Sequence, residues 1–132
     1  MTLRGSGAPT RRRILLVEDH ADTRLMYAEF LGSDYDVQGV GDGLEALAAV
    51  EGHLPDVIVT DLALPRMDGY ELIARLRGDA RFADIPIIAL SGYSGAEHDQ
   101  RVVRVRPVTV LQKPCLPETL VDEVEKHLRG TG

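Results

Sequence analysis

The chain has 132 residues, 44% apolar and 27% charged, which fits one globular domain with its own core and excludes a disordered or fibrous chain. Lysine and arginine number 15 against 21 acids, a net charge of −6, so a nucleic-acid partner, which would call for positive charge to meet phosphates, is not expected. No apolar run approaches the roughly 18–20 residues of a membrane span, residues 1–13 lack the apolar segment of a secretory signal, and the single cysteine, Cys115, excludes an internal disulfide and suits a reduced, cytoplasmic setting.

Residues 1–12, with Gly5, Gly7 and Pro9, read as a flexible N-terminal tail whose last residues open the Arg11–Arg13 triplet. Ile14-Leu15-Leu16-Val17 is the first strand. Residues 20–32 have helical spacing, with Met26, Tyr27, Phe30 and Leu31 expected on the inner face and Gly32 as the stop. Tyr35-Asp36-Val37 is a weaker, more polar strand and belongs at an edge. Gly41-Asp42-Gly43 resembles a phosphate loop only superficially, because the Lys-Ser/Thr pair is missing, and is read as the entry to the next helix. That helix covers 43–51, with Leu44, Leu47, Ala48 and Val50 inward. Val57-Ile58-Val59 is the third strand. Residues 69–77 form a helix with Leu72, Ile73 and Leu76 inward. Ile85 to Leu90 is the fourth strand, residues 95–105 a polar helix with valines at 102, 103 and 105, and Val108 to Leu111 the fifth strand. Residues 117–129 open on Pro117 and carry Leu120, Val121, Val124 and Leu128 inward. Residues 130–132 are a C-terminal tail.

Strand and helix alternate five times. That pattern predicts an α/β fold, a doubly wound parallel sheet with helices on both faces. In such sheets ligands bind beyond the carboxyl ends of the strands. The first strand ends in Glu18-Asp19, the third in Asp61, the fourth in Ser91 and the fifth in Lys113. In the flavodoxin-like strand order 2-1-3-4-5 these ends meet in one pocket. Three carboxylates there repel one another and call for a cation. Oxygen ligands with no His or Cys placed among them suit Mg²⁺, which keeps several waters. A carboxylate beside Mg²⁺ can attack phosphorus and form an aspartyl-phosphate. The histidines at 20, 53, 98 and 127 are scattered and read as surface or capping residues.

The runs Ile-Leu-Leu-Val-Glu-Asp, Asp-Val-Ile-Val-Thr-Asp-Leu-Ala-Leu-Pro-Arg-Met-Asp-Gly, Ile-Pro-Ile-Ile-Ala-Leu-Ser-Gly and Leu-Gln-Lys-Pro occur in that order. Residues 13–129 thereby resemble the receiver domain of two-component response regulators. The resemblance implies five helices around the five-stranded sheet. It implies that Asp61 accepts a phosphoryl group from a sensor histidine kinase or phosphotransfer protein. Glu18, Asp19 and Asp61, with the backbone carbonyl of Ala63, would hold Mg²⁺. Ser91 and Lys113 would contact the phosphoryl group, and the Lys113–Pro114 peptide would be cis.

Some positions depart from the family pattern. The usual switch aromatic three residues before the lysine is Val110, the end of the fourth helix reads Val105-Arg106-Pro107, and a large apolar residue is replaced by Cys115, read as a small buried filler. The output is expected through a protein partner, or through a homodimer using residues 95–129, which carry Arg101, Arg104 and Arg106 near one end and Glu118, Asp122, Glu123 and Glu125 in the last helix. Ala63 and Tyr93 would rim the phosphoryl group and set its lifetime, Tyr93 either covering the approach of water or holding a water with its hydroxyl. Two other readings share the chemistry: a Mg²⁺-dependent aspartyl-phosphate phosphohydrolase, and a receiver excised from a larger regulator or hybrid kinase. The hydrolase would need a second acid two residues after the nucleophile, where Ala63 stands.

Overall fold

The computed structural model describes residues 11–130. Most of the expected N-terminal tail, residues 1–10, and residues 131–132 of the C-terminal one lie outside these. Arg11 is placed, and its guanidinium donates to the carbonyls of Gly32 and Asp34. Five parallel strands form one sheet: β1 (Arg13–Val17), β2 (Asp36–Val40), β3 (Val57–Asp61), β4 (Ile87–Ser91) and β5 (Thr109–Gln112). Their order is β2-β1-β3-β4-β5, the flavodoxin-like arrangement in which the strand ends are expected to meet. β2 is an edge strand, as its polar sequence requires.

Side chains alternate between the two faces of each strand. Ile14, Leu16, Val57, Val59, Ile88 and Leu90 point to one side. They are covered by α1 (Ala21–Gly32) and α5 (Pro117–Gly130) through Tyr27, Leu31, Leu120, Val124 and Leu128. Leu15, Val17, Ile58, Ile87 and Ala89 point to the other. They meet α2 (Gly43–Gly52) and α3 (Gly69–Arg77) through Ala46, Val50, Leu72, Ile73 and Leu76. The three inner strands are buried on both sides, which explains their nearly continuous Val, Ile and Leu. No helix among the described residues is long and apolar enough to cross a membrane.

Two helices turn different faces inward than their sequences suggest. In α1 only Tyr27 and Leu31 are buried. Met26 and Phe30 are 38% and 46% exposed, because a residue one position earlier sits about 100° round the helix. The same rotation in α2 buries Ala46 and Val50 and leaves Leu44 and Ala48 exposed. The expected helix over 95–105 is replaced by a 3-10 turn (Ala96–His98) and a four-residue α4 (Gln100–Val103). Asp99 breaks the run: its backbone is extended and its carboxylate accepts from Arg101 N at 2.8 Å, capping α4. A short side chain that bonds its own backbone competes with the helix at that point. Of the valines there, Val102 is buried, Val105 half-buried and Val103 exposed.

Two glycines let the loops around the carboxyl ends close. A Cβ on Gly69 would lie 2.3 Å from the Asp61 carbonyl oxygen and 2.7 Å from Leu62 Cα. A Cβ on Gly43 would lie 2.6 Å from the Met67 carbonyl oxygen. A Cβ on Gly52, by contrast, meets nothing within 4 Å. Gly69→Ala is therefore expected to destabilise the protein by about 1–3 kcal/mol, the usual cost of overpacking. Gly52→Ala should be neutral or stabilising, because it only restricts the unfolded chain. Urea unfolding of the two variants checks this, and equal stability would mean that the β3–α3 junction is looser than described.

Candidate functional site

Backbone bonds between neighbouring strands carry the chain past their ends and hold those ends level. Glu18 N donates to Val40 O at 3.0 Å, Leu62 N to Leu90 O at 3.0 Å, and Lys113 N to Ser91 O at 2.7 Å. Glu18, Asp61, Ser91 and Lys113 are thereby fixed along one edge of the sheet. Glu18 is 1% exposed, Asp61 2% and Ser91 1%. The Lys113–Pro114 peptide is cis, as is Arg106–Pro107.

The structure brings the acids, the hydroxyl and the ammonium expected from the sequence to this edge. The Lys113 ammonium contacts Asp61 Oδ2 directly and stands 3.7 Å from Glu18 Oε1. Asp61 Oδ1 accepts from Ala63 N at 2.9 Å. Burial of Lys113 pulls its pKa down, but the hydrogen bond to Asp61 and the charges of Asp61 and Glu18 outweigh this, and the net shift is upward. Glu18 Oε2 accepts from His20 N at 3.0 Å and lies 3.2 Å from His20 Nδ1. Glu18 Oε1 is buried and has no hydrogen-bond partner among the described residues. A buried carboxylate oxygen without a partner is costly. The donor set therefore fits a hard divalent cation, which an oxygen site with room for water would take. Glu18, Asp19 and His20 each offer a ligand atom within 4.8 Å of the others. The imidazole of His20 is held on Glu18 Oε2, so the oxygens of Glu18 and Asp19 are the better donors for such an ion.

Other acids, flanking Asp61 in sequence or lying in the adjoining loops, are engaged in the fold. Asp56 Oδ2 accepts from Arg13 N at 2.7 Å. Asp68 caps α3 through Glu71 N at 2.9 Å. Asp42 caps α2 through Glu45 N at 2.8 Å and also binds Arg66. These bonds lower the pKa of Asp42, first through the Glu45 amide and then, against its burial, through Arg66. Arg66 carries the left-handed φ of 65° in the β3–α3 loop, so this latch fixes the loop that carries Ala63. Gly41-Asp42-Gly43 is thus a helix entry, as the sequence suggests. Cys115 is buried, its carbonyl accepts from Tyr27 OH at 2.7 Å, and burial raises its thiol pKa. Val110 is half-buried against the α2–α3 side of the core.

A cleft of about 470 Å³ opens over this edge, bounded by Asp19, Ala63, Ser91, Tyr70 and Tyr93 among others. Ser91 Oγ donates to Tyr93 O at 2.9 Å and accepts from Tyr93 N at 3.2 Å. The Tyr93 hydroxyl donates to Asp99 Oδ2 and meets the Tyr70 hydroxyl, both at 2.9 Å. The Arg101 guanidinium stacks 3.6 Å from the centre of the Tyr70 ring and binds both oxygens of Asp99. Arg101 and Tyr93 together hold the Asp99 carboxyl well below the usual range. Burial and the Tyr93 contact push Tyr70 up to about 12. Sequence reasoning found Tyr93 here but missed Tyr70, Asp99, Arg101, His20 and Arg66. A second cleft of about 470 Å³ lies at the amino ends of β4 and β5, between Arg77, Arg106 and His127. It is remote from the acids, and the Arg77 guanidinium there is engaged by four backbone carbonyls. The four histidines remain dispersed. His53 follows α2 at its C-cap, His98 ends the 3-10 turn, and His127 meets Thr109 Oγ1 at 3.0 Å.

The sequence profile of the response regulator receiver domain matches residues 14–125. An uncharacterized 14.6 kDa protein of Leptolyngbya boryana is 36% identical over 115 residues, covering 86% of this chain and 88% of that one. Hybrid signal transduction histidine kinase D of Dictyostelium discoideum is 33% identical over 111 residues, 84% of this chain but 7% of the kinase. The crystallised chemotaxis response regulator CheY4 of Vibrio cholerae superposes with a TM-score of 0.82 at 31% identity, covering 89% of this chain and 99% of that one.

The raised pKa of Lys113 sets an alkaline limit. The stability it contributes is present below the ordinary lysine value of 10.5 and is lost as pH rises through the higher folded value. Tyr27, Tyr35 and Tyr70, also raised, add a fall of the same sign. Urea unfolding from neutral pH to above that value should show a steeper alkaline loss for the parent than for Lys113→Met. Identical slopes would mean that the ammonium does not bear on the two acids.

Proposed function

The chain belongs to the response regulator receiver domain family of two-component systems, phosphoryl-accepting signalling switches, and from that premise we propose that Asp61 is its phosphoacceptor. The observation that carries this reading is the Asp61 carboxylate, buried at the carboxyl end of β3 and bound by Lys113, with Glu18 Oε1, which has no hydrogen-bond partner among the described residues, 3.7 Å from the same ammonium. Asp56 and Asp68 have structural hydrogen bonds instead.

The donor is a phosphohistidine of a sensor kinase or phosphotransfer protein. An Asp61 oxygen attacks phosphorus in line, the P–N bond breaks, and the imidazole leaves with the electron pair and takes up a proton. Lys113 follows the charge from the carboxylate to a phosphoryl oxygen. Ser91 Oγ gives up its bond to Tyr93 O and donates to another. Glu18, Asp19, Asp61 and the Ala63 carbonyl would hold Mg²⁺, whose charge would offset that of the phosphoryl oxygens. Ala63 brings only a methyl group where a phosphohydrolase would carry its second acid, which supports a regulatory acceptor. The same methyl cannot orient water, which favours slow loss of the phosphoryl group. Output runs through a protein partner or through self-association along residues 95–129, which sedimentation of the two forms reads. Cys115, single and buried, suits a cytoplasmic setting.

Intact-mass measurement after treatment with acetyl phosphate and Mg²⁺ tests the assignment. The parent should gain one phosphoryl group and Asp61→Asn none. A shift that persists in Asp61→Asn would place the acceptor elsewhere.

A further inference from the structure

We propose that Tyr70, Asp99 and Arg101 are positioning residues for hydrolysis of the phosphoaspartate: they clamp Tyr93 across the mouth of the cleft, so that its ring shuts out the attacking water. The inference rests on the assignment of Asp61 and deepens it.

The clamp is a closed ring of contacts. Tyr93 OH donates to Asp99 Oδ2 and meets Tyr70 OH. Asp99 is gripped by the Arg101 backbone amide and guanidinium. Arg101 returns to Tyr70 by stacking on its ring. Three segments are joined in this way: the first turn of α3, the loop after β4, and α4. The arrangement decides between two roles for Tyr93. A tyrosine that orients water must aim its hydroxyl at the phosphorus. Here the one hydroxyl proton goes to Asp99, and the oxygen also meets Tyr70. What Tyr93 offers the cleft is its ring. An exposed aromatic side chain, 49% accessible here, would otherwise sample several rotamers. The clamp restricts it to one.

In hydrolysis, water oxygen bonds to phosphorus, the P–O bond to Asp61 breaks, and the carboxylate leaves with its electron pair. Water protons pass to the phosphate and to solvent. The step needs a water in line behind phosphorus, and Tyr93 lines the cleft that opens over this edge, beside Ala63 and Ser91. None of Tyr70, Asp99 or Arg101 takes part in that chemistry. They act only through where they hold Tyr93.

Decay of phosphoprotein after removal of acetyl phosphate, followed by intact mass, tests this. Tyr93→Phe keeps the ring and loses both hydroxyl contacts. Tyr70→Phe and Arg101→Ala loosen the clamp without touching Tyr93. Each should shorten the lifetime by roughly twofold to tenfold, the factor carried by one or two hydrogen bonds. Tyr93→Ala should shorten it most. In the Tyr93→Ala background Tyr70→Phe and Arg101→Ala should have no further effect, since residues that act through Tyr93 lose their lever with it. Slower decay in Tyr93→Phe would show that the hydroxyl orients water and would overturn the inference. So would unchanged lifetimes in Tyr70→Phe and Arg101→Ala, or equal effects with and without Tyr93. If Asp61 is not the acceptor, the parent gains no phosphoryl group or Asp61→Asn keeps it. That failure is distinct from one in which only the lifetimes disagree.

Discussion

Two carboxylates almost out of water, Glu18 and Asp61, share one ammonium, Lys113, at the carboxyl edge of the sheet. Taking a charge out of water costs on the order of several kcal/mol per ion unless hydrogen bonds and an opposite charge compensate. Here the compensation is incomplete. Asp61 has Lys113 and the Ala63 amide, but among the described residues Glu18 Oε1 has only an ammonium 3.7 Å away. A core built for stability alone would not keep that imbalance. The register of β1 beside β3, β3 beside β4 and β4 beside β5 places all these groups together, so one continuous apolar sheet is what makes the polar edge possible.

Besides the bonds from Ala63 N to Asp61 and from His20 N to Glu18, the loops over this edge are held by contacts away from its acids. Asp42 and Arg66 tie the β3–α3 loop to α2. Gly69 lets the start of α3 lie against the Asp61 backbone, where a methyl group would collide. On the other side Asp99 both caps α4 and holds Tyr93. Asp99 therefore links the loop after β4 to α4.

The strands were legible in the sequence because burial on both faces leaves a run of Val, Ile and Leu with no competing pattern. The acids at their ends were legible because chemistry-bearing residues interrupt apolar runs at the same relative place. Helix faces were less so. Met26, Phe30 and Leu44 are as apolar as the residues that turned inward, and only packing against the sheet selects the stripe. The helix over 95–105 was misread because Asp99 can cap as readily as it can continue a helix. The clamp could not be read at all. Tyr70, Tyr93, Asp99 and Arg101 come from three segments, and tyrosine beside arginine has no spacing that distinguishes a contact from a coincidence.

The edge is short of positive charge, and Lys113 and a divalent cation would answer the same deficit. Calorimetric titration with Mg²⁺ of the parent and of Lys113→Met tests it most directly. The variant is expected to bind Mg²⁺ more tightly, because Asp61 Oδ2 is released from the ammonium and the site is more negative. Weaker binding in the variant, or no binding in either protein, would contradict it.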